Sequence, residues 1–339
     1  MGSYSDIPLF LSLVFVFGGL LALAWSSDAF VDGAASVARR LGISPFIIGM
    51  VIIGFGTCAP EFCVSLFSGS AGKAELSLGN AYGSCIFNVA GVLGIAAMVR
   101  PLVVRPIMVF LAAPLLALTT LLSFFILGNN ELSKFESWLL IAIFLVLMPL
   151  YCWADQRSKA KPGDAGEGGE AAGDAAEPSV WKTLFNLVVG FSVMVGASHL
   201  LVWGSVDIAA AMGVSELMIG LTIVAIGTSV PELATAVAAA KKGHSELVLG
   251  NIVGSNLFNA LVVIGTAGTA APGAVGGFSP YVMTRDLPML LAVSILVGVF
   301  GFNRRRPREN GSINRLEGAL WTLSFIIYMI VMVYQEICK

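Results

Sequence analysis

The sequence predicts an all-α integral membrane protein in which ten transmembrane helices form two five-helix repeats of inverted topology. Three observations lead to this fold class. The chain is 57% hydrophobic and 12% charged, with a mean hydropathy of +0.88, whereas ordinary soluble domains carry about 25% charged residues. Ten apolar stretches are each long enough to cross a hydrocarbon core of about 30 Å as a helix. A segment of the first half also reappears in the second half.

The apolar stretches fall into two groups of five. They are 7–27, 45–71, 75–98, 102–127 and 134–153, followed by 182–202, 214–240, 245–270, 281–302 and 316–335. Apolar runs of about 10 residues, which mark outer-membrane barrels, are absent from the sequence. The first stretch is preceded by MGSYSD, which has no basic residue. It is also too long for a signal peptide, so we expect a retained helix.

The two halves give the domain organisation. Residues 1–154 form the first five-helix half and residues 181–339 the second. Between them, 155–180 is rich in glycine, alanine and acidic residues. Such a segment has almost nothing to bury, so we expect a flexible acidic linker on the cytoplasmic side.

The basic residues predict the orientation. With the N-terminus outside, fifteen of the nineteen Lys and Arg fall in inside loops, as membrane proteins prefer. The remaining four are Lys73, Lys134, Arg285 and Lys339. We therefore expect a plasma (cell inner) membrane protein with both termini outside. In this topology the stretches 45–71 and 214–240 run in opposite directions, which makes the halves inverted repeats.

The repeat itself is the most informative feature of the chain. Residues 49–94 reappear at 220–265 in ungapped register, an offset of 171, with eighteen of 46 aligned positions identical. The shared skeleton is G-T-x-x-P-E followed by G-N-x-x-G-S-x-x-F-N. These positions are polar or conformationally special, which is unusual for generic apolar helices.

Each copy contains a glutamate directly after a proline. Glu61 follows Pro60 and Glu232 follows Pro231. A charged residue at membrane depth costs about 2.5–3.5 kcal/mol on insertion scales, so such residues mark functional sites. Proline removes a backbone donor and breaks the helix, and broken backbone at this depth lines a cavity or is buried in protein. Two such glutamates related by a repeat predict one shared cation site.

Other oxygen donors surround the glutamates in the pattern. Thr57 and Thr228 lie one turn before them, and the second part of each copy places a serine and an asparagine on one helical face. These last four residues are Ser84, Asn88, Ser255 and Asn259. Carboxylate, hydroxyl and amide oxygens suit Ca²⁺ or Na⁺ and not soft metals. For the serines and asparagines, hydrogen bonding between helices is the alternative.

On these motifs the chain resembles the calcium/cation antiporter superfamily, specifically a prokaryotic sodium/calcium exchanger, whose two α-repeats carry GTSxPE and GNxxGSNxxN. The resemblance implies alternating access, a central Ca²⁺ site held by the two glutamates, flanking Na⁺ sites, and sliding of the first helix of each half. By motif position it implies the ligands Thr57, Glu61, Ser84, Asn88, Thr228, Ser229, Glu232, Ser255 and Asn259.

Three positions depart from the family pattern. Cys58 replaces the serine of the first GTS, and Cys85 replaces the first asparagine of the first GSN. Asn259 stands where some members carry aspartate. The missing third carboxylate leaves the ion stoichiometry and potassium dependence open. We expect Cys58 to face the ion pathway and Cys63, about 200° further around the helix, to face away.

The expected function is secondary active exchange of Ca²⁺ for Na⁺ across the plasma membrane. Ca²⁺/H⁺ exchange and K⁺-dependent Na⁺/Ca²⁺ exchange are the alternatives. An intramembrane hydrolase is disfavoured because the sequence has neither HExxH nor GxSxG, so we expect no enzymatic activity. A passive channel is disfavoured by the inverted repeats. We expect inorganic cations and the lipid bilayer as partners, no cofactor, no nucleic acid and no obligate protein partner.

Overall fold

The computed structural model describes residues 8–70, 74–159, 179–212, 225–276, 278–303, 306 and 309–337. This part of the chain is almost entirely helical. Its strands form two short antiparallel pairs. Of the predicted linker 155–180, residues 155–159 continue the helix Lys134–Lys159. Residues 160–178 lie outside the described residues, as do Lys73 and Lys339.

The first half begins with the long helix Leu9–Leu41 and ends with the long helix Lys134–Lys159. Its helices are α1 (Leu9–Leu41), α2 (Pro45–Ile48), α3 (Phe55–Thr57), α4 (Ala59–Ser70), α5 (Ala74–Ile86), α6 (Gly94–Val99), α7 (Ala113–Ile126) and α8 (Lys134–Lys159), with strands β1 (Leu102–Val104) and β2 (Glu131–Leu132) and a 3₁₀ turn at Leu127–Asn129. Local sequence sets the first connection. Gly42 ends α1 in the left-handed conformation (φ 62°), and the Ser44 side chain caps α2 by accepting from the Ile47 N–H, as N-cap serines do.

In its described residues the second half repeats the order of long helices and strands of the first half. Its helices are α9 (Val180–Ala211), α10 (Ala225–Gly227), α11 (Val230–Lys241), α12 (Ser245–Leu257), α13 (Ile264–Ala270), α14 (Leu287–Gly301) and α15 (Arg315–Ile337), with strands β3 (Val275–Gly276) and β4 (Gly311–Ile313).

Segments of π-helix interrupt several spans. They are Gly49–Gly54, Phe87–Leu93, Met108–Ala112, Phe258–Val263 and Val282–Asp286. Two of them begin at equivalent positions of the repeat, since residues 87 and 258 differ by the offset of 171. π-turns occur frequently at functional sites. Both of these segments contain a predicted ligand, Asn88 or Asn259.

The described residues contain eight helices that are long and apolar enough to cross a membrane. A ninth is added if Pro45–Thr57 and Ala59–Leu66, which meet at 45°, form one bent span. The remaining predicted span, 214–240, is described only from Ala225 onward. The fold is thus an all-helical multi-pass membrane protein.

The first helix of each half extends beyond its apolar stretch. α1 ends at Leu41 and not near residue 27, and α9 ends at Ala211 and not near residue 202. In α1 the added turns carry Asp28, Asp32, Arg39 and Arg40. The two helices pack against each other in antiparallel directions, with Gly33 against Leu187 and Gly190 against Phe30. Near the other end, the Ser12 hydroxyl donates to the Asp207 carboxylate.

The second membrane span of each repeat copy lies at the centre of the bundle. In the 18-residue apolar windows of Ser77–Val99 and Ser245–Ala270, 78% and 89% of the residues are buried, against 22% in that of α1. Gly250 and Gly254 of α12 approach the Phe46 and Met50 carbonyls so closely that a Cβ would lie 2.1 and 2.2 Å from them. Small residues permit such close helix contacts in membranes. The repeat motifs therefore lie inside the protein.

Loops that carry basic residues gather at one end of the bundle, which we call the basic end. There β1 pairs with β4, and the Val103 N–H donates to the Ser245 hydroxyl (3.1 Å). Lys242 pairs with Asp32 of α1 (2.9 Å). At the opposite end β2 pairs with β3, and Lys134 donates to the Thr269 carbonyl (2.6 Å).

Candidate cation site

Both predicted helix breaks are present. α3 ends at Thr57, and Cys58 (φ −78°, ψ 4°) separates it from α4. In the second copy, Ser229 (φ −98°, ψ 13°) precedes α11. Pro60 and Pro231 occupy the first turn of the helix after the break. Proline is favourable there because a backbone N–H at this position would have no acceptor within the helix. Each break places a glutamate in the first turn of a new helix, whose positive dipole end favours a carboxylate.

Glu61 lies in a hydrogen-bonded group that joins the two halves. Its Oε1 accepts from the Ser229 hydroxyl (2.9 Å) and from the Ser84 hydroxyl (3.3 Å). Ser229 is also within 3.0 Å of the Ser84 Oγ. Glu61 Oε2 is buried and has no hydrogen-bond partner among the described residues. One carboxylate oxygen is therefore oriented by two serines, while the other is available to a cation.

Glu232 is placed in the reciprocal way. It is fully buried, and its neighbours Thr57 and Cys58 come from the first half. Neither of its carboxylate oxygens has a hydrogen-bond partner in the described part of the chain. Cys58 is the repeat counterpart of Ser229, and its thiol is directed to the Ser255 carbonyl (3.8 Å). The cysteine substitution thus leaves Glu232 without the strong hydroxyl donor that orients Glu61.

Two carboxylates lie close to one another without a basic partner. Glu61 and Glu232 interact electrostatically, and no ion pair of the described residues includes either of them. Uncompensated buried charges are strongly unfavourable. A bound cation of charge two would neutralise both.

The two motif asparagines are the other orphaned groups. Asn88 and Asn259 are fully buried, and neither the amide oxygen nor the amide nitrogen of either residue has a described hydrogen-bond partner. Buried polar side chains are nearly always paired, so each exception needs an explanation. An amide oxygen that coordinates an ion is one, because Ca²⁺ and Na⁺ take neutral oxygen ligands.

The remaining predicted ligands have protein partners. The Thr57 hydroxyl donates to the Ile53 carbonyl (3.0 Å). The lone pairs of the Thr57 hydroxyl oxygen remain available to coordinate a cation. The Ser255 hydroxyl donates to the Gly54 carbonyl (3.2 Å). Thr228 is half-buried, and its hydroxyl lies 3.5 Å from the Asn80 side-chain oxygen. It is the most peripheral member of the predicted set.

The oxygen donors fit a hard cation. Carboxylates from both halves, serine and threonine hydroxyls and two amide side chains could supply the six to eight oxygen ligands that Ca²⁺ takes. Cys85, one of the motif departures, does not add a ligand: it is buried, and its thiol points to the Asn256 carbonyl (3.6 Å). The donor set is therefore one of oxygen atoms.

Three polar residues near the site were not assigned a role from the sequence. Asn80 and Asn251 belong to the shared skeleton as the asparagine of G-N, and Thr235 is specific to the second copy. Asn251 and Thr235 are each 1% exposed. The repeated G-N pair was the signal that could have identified the asparagines.

The position of the two helix cysteines agrees with the expected faces. Cys58 is fully buried beside Ser255, whereas Cys63 is exposed on the surface of α4. Cys58 therefore lies on the side of the helix that contains the predicted ligands, and Cys63 lies on the outer side.

Comparison with known proteins agrees with the geometry. The sodium/calcium exchanger protein family matches residues 11–153 and 182–334. CaxA of Alkalimonas amylolytica, a putative antiporter, is 39% identical over 94% of this chain and 98% of its own length, and the inner membrane protein YrbG of Escherichia coli is 31% identical over 92% and 93%. The sodium-calcium exchanger NCX_Mj, solved after soaking with Na⁺ and Sr²⁺, superposes with a TM-score of 0.78, at 26% identity over 95% of this chain and 99% of that one.

Proposed function

The chain belongs to the sodium/calcium exchanger protein family, and we propose that it is a secondary active antiporter that exchanges Ca²⁺ for Na⁺ by alternating access. One observation carries this proposal. Two fully buried glutamates from the two repeat copies converge, and three of their four carboxylate oxygens have no hydrogen-bond partner among the described residues. A transported cation would satisfy them.

We propose that the ten predicted helices form two inverted five-helix repeats. The equivalent order of elements in the two halves supports this, as do the equivalent π-helical segments and the reciprocal contacts of Glu61 with Ser229 and of Glu232 with Cys58. Sites at the interface of such repeats are typical of transporters. Access would alternate as one group of helices moves against the other around a fixed site.

We further propose a plasma-membrane location with both termini outside. Arg100, Arg105 and Lys242 all lie at the basic end, which would be the cytoplasmic one. The buried Arg105 also pairs there with Asp155, near the end of α8 (3.2 Å). The positive-inside rule is the physical basis for this assignment.

The proposed ligands act by charge and by geometry. Glu61 and Glu232 would supply the formal charge that offsets dehydration of Ca²⁺, and the neutral oxygens would complete its coordination. Thr57, Ser84, Asn88, Thr228, Ser229, Ser255 and Asn259 are the candidates for that role. Because Na⁺ uses the same kind of oxygen ligand with half the charge, several Na⁺ would replace one Ca²⁺.

Exchange is expected to be electrogenic, and this property tests the function. Two carboxylates neutralise one Ca²⁺, whereas three Na⁺ would leave one excess positive charge. Moving one charge across the membrane couples to voltage at about 2.3 kcal/mol per 100 mV. In proteoliposomes, an outward Na⁺ gradient should drive ⁴⁵Ca²⁺ uptake, and a clamped diffusion potential should change its rate.

The same assay separates the rival functions. Uptake driven by a pH gradient and not by Na⁺ would indicate Ca²⁺/H⁺ exchange, and a requirement for K⁺ would indicate K⁺-dependent exchange. Uptake without counterflow would indicate a channel. Voltage independence would point to two Na⁺ per Ca²⁺.

Cys58 is expected to report on the ion pathway. A small hydrophilic thiol reagent should inhibit transport through Cys58, because the thiol lies beside Ser255 and Glu232. Bound Ca²⁺ or Na⁺ should slow the modification. The Cys58→Ser variant should remain active and become resistant, whereas Cys63→Ser should stay sensitive. Inhibition lost in Cys63→Ser instead would place the pathway on the other face of this helix.

A further inference from the structure

The two repeat copies place different atoms next to their glutamates. The Ser229 hydroxyl donates to Glu61 Oε1 (2.9 Å). The counterpart of residue 229 at the offset of 171 is residue 58, which is a cysteine. The Cys58 thiol lies next to the Glu232 carboxylate, and both residues are fully buried. A sulfur atom therefore stands at one of the two positions where the repeat places a hydroxyl oxygen beside a glutamate.

The Glu232 carboxylate is open to a further ligand on this side. Both of its oxygens are buried and have no hydrogen-bond partner in the part of the chain that the structure describes. No ion pair of the described residues includes Glu232 either. The Cys58 thiol is directed to the Ser255 carbonyl at 3.8 Å, which is a weak contact because a thiol is a weak donor. A weakly held thiol and an unpartnered carboxylate thus lie side by side.

Sulfur and oxygen donors select different cations. The oxygen donors of the candidate site suit Ca²⁺, and Cys58 adds one sulfur atom beside them. Thiolate is a soft ligand that favours soft and borderline metal ions. No three His, Cys, Asp or Glu side chains of the described ranges gather closely enough to hold a metal ion by themselves. A soft divalent ion would therefore use one thiolate and one carboxylate, which neutralise it, and neutral oxygens such as the Thr57 hydroxyl and the Ser255 carbonyl.

We propose that Cys58 and Glu232 form a binding site for thiophilic divalent cations, represented by Cd²⁺, within the candidate cation site of this chain. The inference rests on the proposed exchange function, because transport of Ca²⁺ would bring ions to these buried side chains. A bond forms between Cd²⁺ and the Cys58 sulfur as the thiol proton leaves to water. Cd²⁺ bound in this way occupies the Glu232 carboxylate and competes with Ca²⁺. A serine at position 58 would offer Cd²⁺ only an oxygen atom.

Cys85 provides a matched buried control. Its thiol donates to the Asn256 carbonyl (3.6 Å), and the Asn256 side-chain nitrogen donates to the Cys85 carbonyl (3.2 Å). Residues 85 and 256 are counterparts at the offset of 171, so this sulfur lies at a contact between the two copies. Cys58, in contrast, adjoins an unpartnered carboxylate. Both thiols are buried, and the proposal assigns Cd²⁺ binding to Cys58 alone.

The first test measures the inhibition of Na⁺-driven ⁴⁵Ca²⁺ uptake by Cd²⁺ in proteoliposomes. The inhibition constant for Cd²⁺ is divided by the KM for Ca²⁺ of the same variant, so that a general loss of ion affinity cancels. Even partners outside the direct ligands change metal affinity by about 10–100-fold. We therefore expect this ratio to rise by about tenfold or more in Cys58→Ser. Cys85→Ser and Cys63→Ser should keep the parent ratio.

The second test observes the bond between Cd²⁺ and sulfur directly in the purified full-length protein. Cd²⁺ bound to a thiolate gives a charge-transfer absorption band in the ultraviolet. A protein that keeps only Cys58 should show this band on addition of Cd²⁺, and excess Ca²⁺ should lower it because both ions need Glu232. Adding Glu232→Gln should weaken Cd²⁺ binding by about tenfold or more. The cysteines changed to serine in this protein are Cys63, Cys85, Cys152 and Cys338.

The two tests separate the Cd²⁺ site from the exchange function. The parent ratio in Cys58→Ser, or a ratio that rises in Cys85→Ser in its place, overturns the assignment to Cys58 and leaves the exchange function intact. Absence of the absorption band from the Cys58-only protein also overturns it, even where Cys58→Ser fails to fold. A parent that moves no Ca²⁺ in exchange for Na⁺ would overturn the proposed function, whereas the absorption band needs no transport and decides the Cd²⁺ site by itself.

Discussion

Glu61→Gln and Glu232→Gln are each expected to abolish Ca²⁺ transport while the protein remains folded. The substitution keeps the size and shape of the side chain but removes the formal charge that Ca²⁺ requires. Removing one partner of a buried charge pair costs about 2–5 kcal/mol of binding free energy, or about 30-fold to several thousand-fold in affinity. In Glu61→Gln the amide would still present an oxygen to the Ser229 and Ser84 hydroxyls, which donate to Glu61 in the parent.

The measurement is Na⁺-driven ⁴⁵Ca²⁺ uptake in proteoliposomes, with gel filtration to confirm that the variants are folded. Glu131→Gln provides the matched control because Glu131 is exposed in the short strand β2 at the opposite end. It should transport at the parent rate. Uptake near the parent rate in either glutamate variant of the repeats would show that the cation is held elsewhere.

The repeat allowed the centre of the site to be predicted from sequence. A glutamate at membrane depth marks an ion or proton pathway or another functional site, and the identical offset of every motif position predicted that the two copies supply equivalent groups to one place. The helix breaks at Cys58 and Ser229 follow from proline chemistry alone. The positions of the glutamates and of the helix breaks could therefore be predicted without a structure, because they depend on the covalent properties of single residues.

The hydrogen-bond partners of the side chains could not be predicted from the sequence. The sequence placed Thr57, Thr228 and Ser255 in one class, but the structure directs Thr57 to its own helix and Thr228 to Asn80. These choices depend on rotamers and on contacts between halves. The length of α1 was also missed, because its last turns are amphipathic and are stabilised by packing on α9 and by the pair of Asp32 with Lys242, and not by hydropathy.

The two repeat copies differ at positions next to the candidate site. Ser229 donates to Glu61, while its counterpart Cys58 leaves Glu232 without a described hydrogen-bond partner. Thr235 pairs with Asn251, while Val64 has no hydroxyl to offer Asn80. These substitutions make the surroundings of Glu61 and Glu232 chemically unequal, so the two copies do not contribute identical groups to the candidate site.

Close packing between the halves controls the geometry of the site, and it depends on Gly254. A Cβ at this position would lie 2.2 Å from the Met50 carbonyl oxygen and 2.8 Å from the Met50 Cα. The three nearest atoms that this Cβ would meet belong to the backbone of Met50, so the contact cannot be relieved by moving a flexible side chain. Gly254 is followed by Ser255, whose hydroxyl donates to the Gly54 carbonyl on the helix that contains Met50. Any separation of these helices therefore moves a predicted ligand relative to Glu61.

Gly254→Ala is accordingly expected to lower Ca²⁺ transport by about 100-fold. Relief of the contact requires the helices to separate by about 1 Å, and a displacement of this size at a functional site costs about 10²-fold in rate. Overpacking also costs about 1–3 kcal/mol of stability, which a thermal unfolding assay would detect. Gly18→Ala is the control, since Gly18 lies on an exposed face of α1 with no atom within 4 Å of an added Cβ. Parent-like transport by Gly254→Ala would mean that the contact of α12 with Gly49–Gly54 opens during the cycle without moving the ligands, and the site would then be organised by Glu61, Ser84 and Ser229 alone.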